Sequence, residues 1–368
     1  MTSQEKSAAD ADELAPWRVK IDALDLELLQ LLQKRVECAL AVGEIKKRHD
    51  WPLHDPAREK RIYEKLRARQ TELGGDLPAS AITAIFREII SACRAAEHPI
   101  SLAFLGPAGT NTQEAAAQFF GSAVEGLPCT NPDEVCRAVA SGAVQYGVLA
   151  IENSIHGLVS PTLDLLADAP LSIVAEVELL IHHCLLANCD LERVTRVYSH
   201  EQALAQCRGW LNAHLPDAVL VPVPSTARGA ELAAQEAGAA SISAAIAANI
   251  YGLQIAARNI EDMAGNKTRF WVVGAPDKAA PPSGNDKTSL TFLTPHKPGA
   301  LVEVLGVFAR NGVNVAMIQS RPSRQAAWEY RFFADLAGHR DDDNLREALE
   351  ELRGHTVSYK IIGSYPEA

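Results

Sequence analysis

The chain has no surplus of positive charge, no apolar run long enough to span a bilayer and no Cys-x-x-Cys pair. Its formal net charge of -11 argues against a general binder of nucleic acid or anionic membranes. An acidic chain takes acidic substrates only where local Arg and Lys overcome that field, so clustered basic residues carry information. Seven cysteines, odd in number and scattered, read as reduced thiols of a cytoplasmic enzyme. The opening segment MTSQEKSAADADELAP has neither the basic lead nor the apolar core of a signal peptide. His182 and His183 invite a metal, but they fall in a strand-like run where neighbours face opposite ways. Neither metal nor cofactor is therefore expected. Low-complexity tracts and solenoid-period repeats are also missing.

What is there falls into three textures. Residues 12–98 read as helices only, with charged faces and few β-branched runs. Residues 100–274 alternate short apolar runs with Ala-rich helical stretches, the pattern of an α/β domain. A Pro- and Gly-rich linker over 275–286 follows, and residues 287–368 give the order βαββαβ of a ferredoxin-like α+β unit.

The first helix carries a heptad seam, with Ile21, Leu28 and Val42 on one position and Leu24, Leu31, Cys38 and Ile45 on the other. Arg35 interrupts the first series, and a guanidinium there needs a partner. Lys46 lies three turns further on nearly the same face. Asp55-Pro56 opens a second helix that presents Arg58 and Glu59. The third helix is expected to bury Ile82, Ile85, Phe86 and Ile89 before Cys93 and Glu97. This layout resembles the all-helical chorismate mutases fused to the front of prephenate dehydratases. The resemblance implies that Arg18, Arg35 and Arg58 grip the two carboxylates of chorismate. It implies too that Glu59 and the backbone at Asp55 hold the ring hydroxyl and that Lys46 bonds the ether oxygen. Glu97 stands where other members place Gln, and Cys93 where some place Ser; Glu97 must be protonated to donate. Arg18 and Arg35 are roughly 25 Å apart along one helix. One small dianion cannot touch both, so an intertwined homodimer is expected.

In the α/β region several strand-to-helix junctions carry small polar residues. GPAGTNT (Gly106 to Thr112) exposes Thr110, Thr112 and backbone N–H groups at a helix start. IENSIHGLVSPTLDLL (Ile151 to Leu166) supplies Asn153 and Thr162, and YSHEQALAQC (Tyr198 to Cys207) places Ser199 and Gln202 at capping-box spacing around His200. With NIYGLQ (Asn249 to Gln254) and NKTRFWVV (Asn266 to Val273), these motifs resemble the prephenate dehydratases throughout the region. The resemblance implies two α/β lobes like those of periplasmic binding proteins, with the substrate in the cleft between them. It also implies that Thr268 is the critical hydroxyl, donating to the departing C4 hydroxyl while carbon dioxide leaves. Asn153, Thr162, Ser199, His200 and Gln202 are the expected cleft polar groups, whereas Arg269, facing away from Thr268 in the same strand, is expected to be structural.

The last region resembles the ACT regulatory domains of this enzyme family. Gly299-Ala300-Leu301-Val302 opens a helix whose N–H groups could take a ligand carboxylate, and Gln319-Ser320-Arg321-Pro322 ends a strand beside it. Gln319 replaces the family's usual Glu. The implied effector is L-phenylalanine, acting through an ACT–ACT interface. Two other readings are an arogenate dehydratase and an amino-acid-sensing binding protein whose catalytic sites have decayed; the presence of Arg35, Lys46 and Thr268 speaks against the latter.

Overall fold

The computed structural model describes residues 3–49, 56–322 and 330–368. The chain divides into two compact units, one containing α1 (Ser3–His49), α3 (Ala79–Glu97) and α2 (Pro56–Leu73) from Tyr63 on, the other the start of α2 and nearly all that follows α3.

In the first unit α1 runs unbroken for 47 residues, about 70 Å at ~1.5 Å per residue. Its heptad seam is not covered within the chain: Ile21, Leu24, Leu28 and Leu31 are 55, 57, 56 and 60% exposed. Near its C-terminal end α1 approaches α3 closely. A Cβ on Gly43 would sit 2.3 Å from Glu97 Cγ, so only glycine admits the Glu97 side chain there. In α3 the buried apolar residues are Ile82, Ile90 and Cys93, whereas Ile85 is 47% exposed, contrary to the expectation that it is core.

The second unit is built on two sheets. Its first lobe contributes β1 (Ile100–Leu105), β2 (Val124–Cys129), β3 (Tyr146–Asn153), the short β4 (Gly157–Leu158) and β5 (Ser172–Leu180), with α4 (Asn111–Phe120), α5 (Pro132–Ala140) and α6 (Ser160–Asp168). The chain then crosses through Ile181–His183 into the second lobe, comprising β6 (Cys184–Ala187), β7 (Arg196–Ser199), β8 (Val219–Pro222), β9 (Ala239–Ser243) and β10 (Gln254–Ala257). Helices α7 (Glu201–Gln206), α8 (Arg208–His214), α9 (Thr226–Gln235) and α10 (Ala245–Tyr251) cover this sheet, whose order is β10-β6-β9-β7-β8. A second crossing returns the chain to the first sheet as β11 (Lys267–Gly274), between β5 and β3.

The C-terminal segment adds β12 (Asp286–Leu293), α11 (Ala300–Arg310), β13 (Val315–Pro322), β14 (Tyr330–Ala337), α12 (Asp343–Leu352) and β15 (Ser358–Pro366), in the βαββαβ order. Its four strands continue the first sheet, whose order is β13-β14-β12-β15-β5-β11-β3-β1-β2, with β4 paired to β3. The joint is the parallel bridge Gly363↔Ile173. A Cβ at Gly363 would lie 2.4 Å from the Ile173 carbonyl oxygen, an approach that backbone atoms cannot relieve. Phe333, Ile362 and Tyr365 pack into the same core as Leu163, Leu166, Ile173 and Trp271 of the first lobe. The linker 275–286 therefore connects two regions that share a sheet and a core.

Beneath the joint sits a buried ionic cluster. Arg269 bonds Glu152 at 2.7 Å, Glu176 at 2.5 Å and Asp335 at 2.8 Å, and Lys287 bonds the other oxygen of Glu176 at 2.9 Å. Burial works against the charge of Arg269, but Glu176 and Asp335 outweigh it and raise the pKa. Strand alternation thus puts Arg269 on the structural face and Thr268 on the other, as expected.

Candidate active sites and effector site

A cleft of about 990 Å³ lies in the second unit, lined from both lobes and both crossings. The lining includes Thr110, Thr112, Asn153, His200, Gln202 and Thr268 from the sequence-derived set. Two members of that set lie elsewhere. Ser199 is fully buried and donates to Ile242 O at 2.6 Å, tying β7 to β9. Thr162 is 1% exposed within α6 and is not part of the lining. The cap of α7 is His200, whose Nδ1 accepts from Gln202 N, not Ser199. Ser199 is the last residue of β7 and Thr162 lies in the first turn of α6, and both side chains turn into the core.

Sequence reasoning missed His156, His183, Gln206 and Asn266, all of which line the cleft. Asn266 precedes the Thr-Arg-Phe motif and Gln206 stands within the quoted YSHEQALAQC run, so both were within reach of motif reading. His183 was considered only as a metal ligand. It and His182 have different partners: His182 Nδ1 meets Glu261 at 2.7 Å, and His183 Nε2 meets Gln206 at 2.7 Å.

The polarity at Thr268 can be read from hydrogen-bond directions. Asn153 Oδ1 accepts from the backbone N–H groups of Ile155 and His156, at 3.0 and 3.1 Å. That commits the oxygen and turns Nδ2 toward Thr268 Oγ1 at 2.8 Å and Asn266 Oδ1 at 2.7 Å. Thr268 Oγ1 thus accepts from Asn153, which leaves its own proton to donate elsewhere. The register Thr268↔Asn153 and Arg269↔Glu152 between β11 and β3 holds this geometry, with the ion pair on one side of the strand and the amide contact on the other.

Among the described residues, the lining holds no Lys, Arg, Asp or Glu. The basic residues expected to hold substrate, Arg18, Arg35, Lys46 and Arg58, lie on α1 and α2 instead. Its donors are amides, hydroxyls, imidazoles and the starts of α4 and α9, whose N–H groups and dipoles favour anions without a full positive charge.

The helical unit is the opposite in kind. Arg18 is exposed and Arg35 and Lys46 are half-buried along α1, while Cys93 is buried and Glu97 half-buried one turn apart on α3. Glu97 Oε1 is buried with no hydrogen-bond partner among the described residues. Arg58 and Glu59 lie near the start of α2; Asp55 falls outside the described residues.

The candidate effector pocket, about 460 Å³, is lined by Thr294 to Val302 with Tyr330 and Phe332, and so contains Gly299, Ala300, Leu301 and Val302. Gly299 has φ +83°, the left-handed conformation glycine tolerates, and precedes α11. Gln319, Ser320, Arg321 and Pro322 are not in this lining. Arg321 turns instead to α6, where Nε and Nη2 bond the two oxygens of Asp164 at 3.3 and 2.9 Å. Arg331 bonds Asp168 at 2.8 Å, and Lys360 Nζ donates to the carbonyls of Leu166, Ala167 and Ala169. The C-terminal segment thus clamps the flank and C-terminal end of α6, while Gly157, Leu158 and Val159 at its other end line the cleft.

Comparison with known proteins matches residues 17–98 to the chorismate mutase type II family, 102–278 to the prephenate dehydratase family and 288–354 to the ACT domain family. The bifunctional chorismate mutase/prephenate dehydratase of Aquifex aeolicus is 42% identical over 359 residues, covering 97% of this chain and 99% of the relative. That of Pseudomonas aeruginosa is 41% identical over 367 residues, covering 98 and 99%. The crystal structure of prephenate dehydratase from Arthrobacter aurescens in complex with L-Phe shares 37% identity and a TM-score of 0.68, covering 73% of this chain and 90% of that one. A structure described as GqqA, a novel type of quorum quenching acylase, shares 32% identity and a TM-score of 0.68, covering 73 and 98%.

Proposed function

Because the chain belongs to the family of bifunctional chorismate mutase/prephenate dehydratases, we propose that its helical unit and its cleft catalyse successive steps on one substrate skeleton. It is an enzyme of L-phenylalanine biosynthesis, with chorismate mutase (isomerase) and prephenate dehydratase (lyase) activities.

The rearrangement of chorismate to prephenate needs no nucleophile and no proton transfer, so the helical site acts by holding the reactive conformer and stabilising charge on the ether oxygen. Lys46 is the donor, and Glu97 adds a second only in its acid form; Arg18, Arg35 and Arg58 take the carboxylates, and Glu59 with the Asp55 backbone takes the ring hydroxyl. The uncovered seam of α1 supports a second copy of this chain as the source of Arg18. A partner helix would bury Ile21, Leu24, Leu28 and Leu31, each more than half exposed in the single chain.

In the cleft, Thr268 donates to the departing C4 hydroxyl of prephenate. The observation that carries this is the bond from Asn153 Nδ2 to Thr268 Oγ1, which aims the hydroxyl proton away from Asn153. A described lining without Lys or Arg suits the reaction, because a carboxylate pinned by a fixed positive charge would resist leaving as carbon dioxide. Among the described residues that lining has no carboxylate to orient a histidine beside a nucleophile, so the acyl-hydrolase chemistry named for GqqA is not our reading. Prephenate is taken as the substrate in preference to arogenate.

L-Phenylalanine is the proposed effector, held at Gly299–Val302 with Gln319–Pro322 nearby. Arg321 links that second motif to Asp164 and hence, through α6, to the cleft wall. A cytoplasmic setting is proposed on the seven free cysteines; separately, no described helix is long and apolar enough to cross a membrane. The deciding experiment compares turnover of chorismate, prephenate and arogenate by the full chain and by a chain ending at Gly274, with and without phenylalanine. Prephenate turnover that phenylalanine suppresses only in the full chain is expected. Arogenate turned over faster than prephenate, or inhibition surviving truncation, would refute the substrate or the regulatory assignment respectively.

A further inference from the structure

The cleft presents Gln206 from the end of α7, and an amide has two ends with opposite hydrogen-bonding sense. Which end faces a bound dianion decides whether the residue attracts or repels it. We propose that His183 is a positioning residue of the dehydratase, fixing the Gln206 amide so that its NH2 group, not its oxygen, is presented to a carboxylate of the substrate.

His183 Nε2 lies 2.7 Å from Gln206 Oε1. An amide oxygen only accepts, so the ring must carry its proton on Nε2. The ring has little freedom to turn away: it is 4% exposed, its backbone N–H donates to Glu261 Oε2 at 2.9 Å, and its carbonyl accepts from Ile260 N at 2.9 Å. Burial pushes the pKa of His183 below its usual value, which keeps the ring neutral and its tautomer single. With Oε1 committed, Gln206 Nε2 points to the exposed His156 on the opposite lobe, 3.2 Å from its Nε2. A carboxylate entering the cleft can take the place of His156 as the acceptor.

The logic repeats that of Asn153, whose oxygen is held by two backbone N–H groups and whose NH2 faces inward. Amide orientation does for this cleft part of what cations do elsewhere, which explains how a lining without Lys or Arg receives a dianion.

The inference rests on the dehydratase reading, and the test separates the two. In His183→Leu the donor is lost and Gln206 is free to turn. The KM for prephenate should rise about tenfold or more, the worth of one hydrogen bond to a charged group, with kcat within about threefold. His183→Gln, which restores an N–H donor of similar reach, should recover most of the KM. A cooperative thermal melt close to the wild-type midpoint serves as the folding control in both. An unchanged KM in His183→Leu, or a His183→Gln variant as impaired as His183→Leu, overturns the proposal. Should neither variant fold, the histidine tautomer in the wild-type chain decides: nitrogen NMR must show Nε2–H with bare Nδ1, and an Nδ1–H or doubly protonated ring at neutral pH refutes it. Absence of prephenate turnover in the wild type would instead defeat the dehydratase reading, whatever the tautomer.

Discussion

Asn153→Asp probes the dehydratase site with almost no change of shape. One carboxylate oxygen keeps the N–H bonds from Ile155 and His156, at 3.0 and 3.1 Å. The other then replaces Nδ2, which lies 2.8 Å from Thr268 Oγ1, 2.7 Å from Asn266 Oδ1 and 3.3 Å from Lys267 O. Each of those contacts loses its donor. Thr268 turns its proton toward the new carboxylate, the strongest acceptor in reach, and no longer toward the leaving hydroxyl. Loss of one oriented donor at developing charge costs about 10²–10³ in kcat, roughly 2.7–4 kcal/mol. Stability should also fall, by about 1–3 kcal/mol for the unmatched acceptors, and this is read independently by thermal melting. Phenylpyruvate formation from prephenate is the assay, with chorismate consumption as the internal control. Protonation of the substituted carboxyl restores a donor, so the variant's dehydratase activity should recover as pH falls. A variant with kcat within tenfold of wild type at neutral pH, or one whose activity falls further in acid while the wild type's does not, would refute the reasoning.

Lys46→Ala should abolish the mutase and spare the dehydratase, and Thr268→Ala the reverse; loss of both activities from either change in a folded protein would sink the two-site account. Glu97→Gln, which presents an N–H donor in place of the carboxyl, should keep or raise mutase turnover, whereas a variant as impaired as Glu97→Ala would remove Glu97 from the ether oxygen. Asp164→Asn breaks the bidentate pair with Arg321; calorimetry should still show phenylalanine binding while inhibition of the dehydratase weakens severalfold, and inhibition at wild-type strength would take α6 out of the coupling path.

The order of the three regions, most of their helices and strands, and the residues Asn153, His200, Gln202 and Thr268 at the cleft were legible in the sequence, because local periodicity and motif spacing survive without a fold. Arg269 was legible for the same reason: strand alternation alone sets it opposite Thr268. The α1 seam was legible too, but that it lies open within one chain emerged only from the arrangement of the helices. Ser199 and Thr162 could not be separated from the cleft residues by sequence, since a cap-like hydroxyl can face solvent or core with the same neighbours.

Tertiary structure alone settled the rest, and the reason is physical. Hydrogen-bond direction depends on partners far apart in the chain: Asn153 with Asn266, His183 with Gln206, Arg321 with Asp164. Each donor is committed only when both partners are in place. The lack of Lys and Arg in the described lining of the cleft, the sheet made continuous where Gly363 meets Ile173, and the shared carboxylate Glu176 under Arg269 and Lys287 follow from the same cause. Composition and spacing determined which chemistry this chain could carry; packing decided which atoms face the substrate.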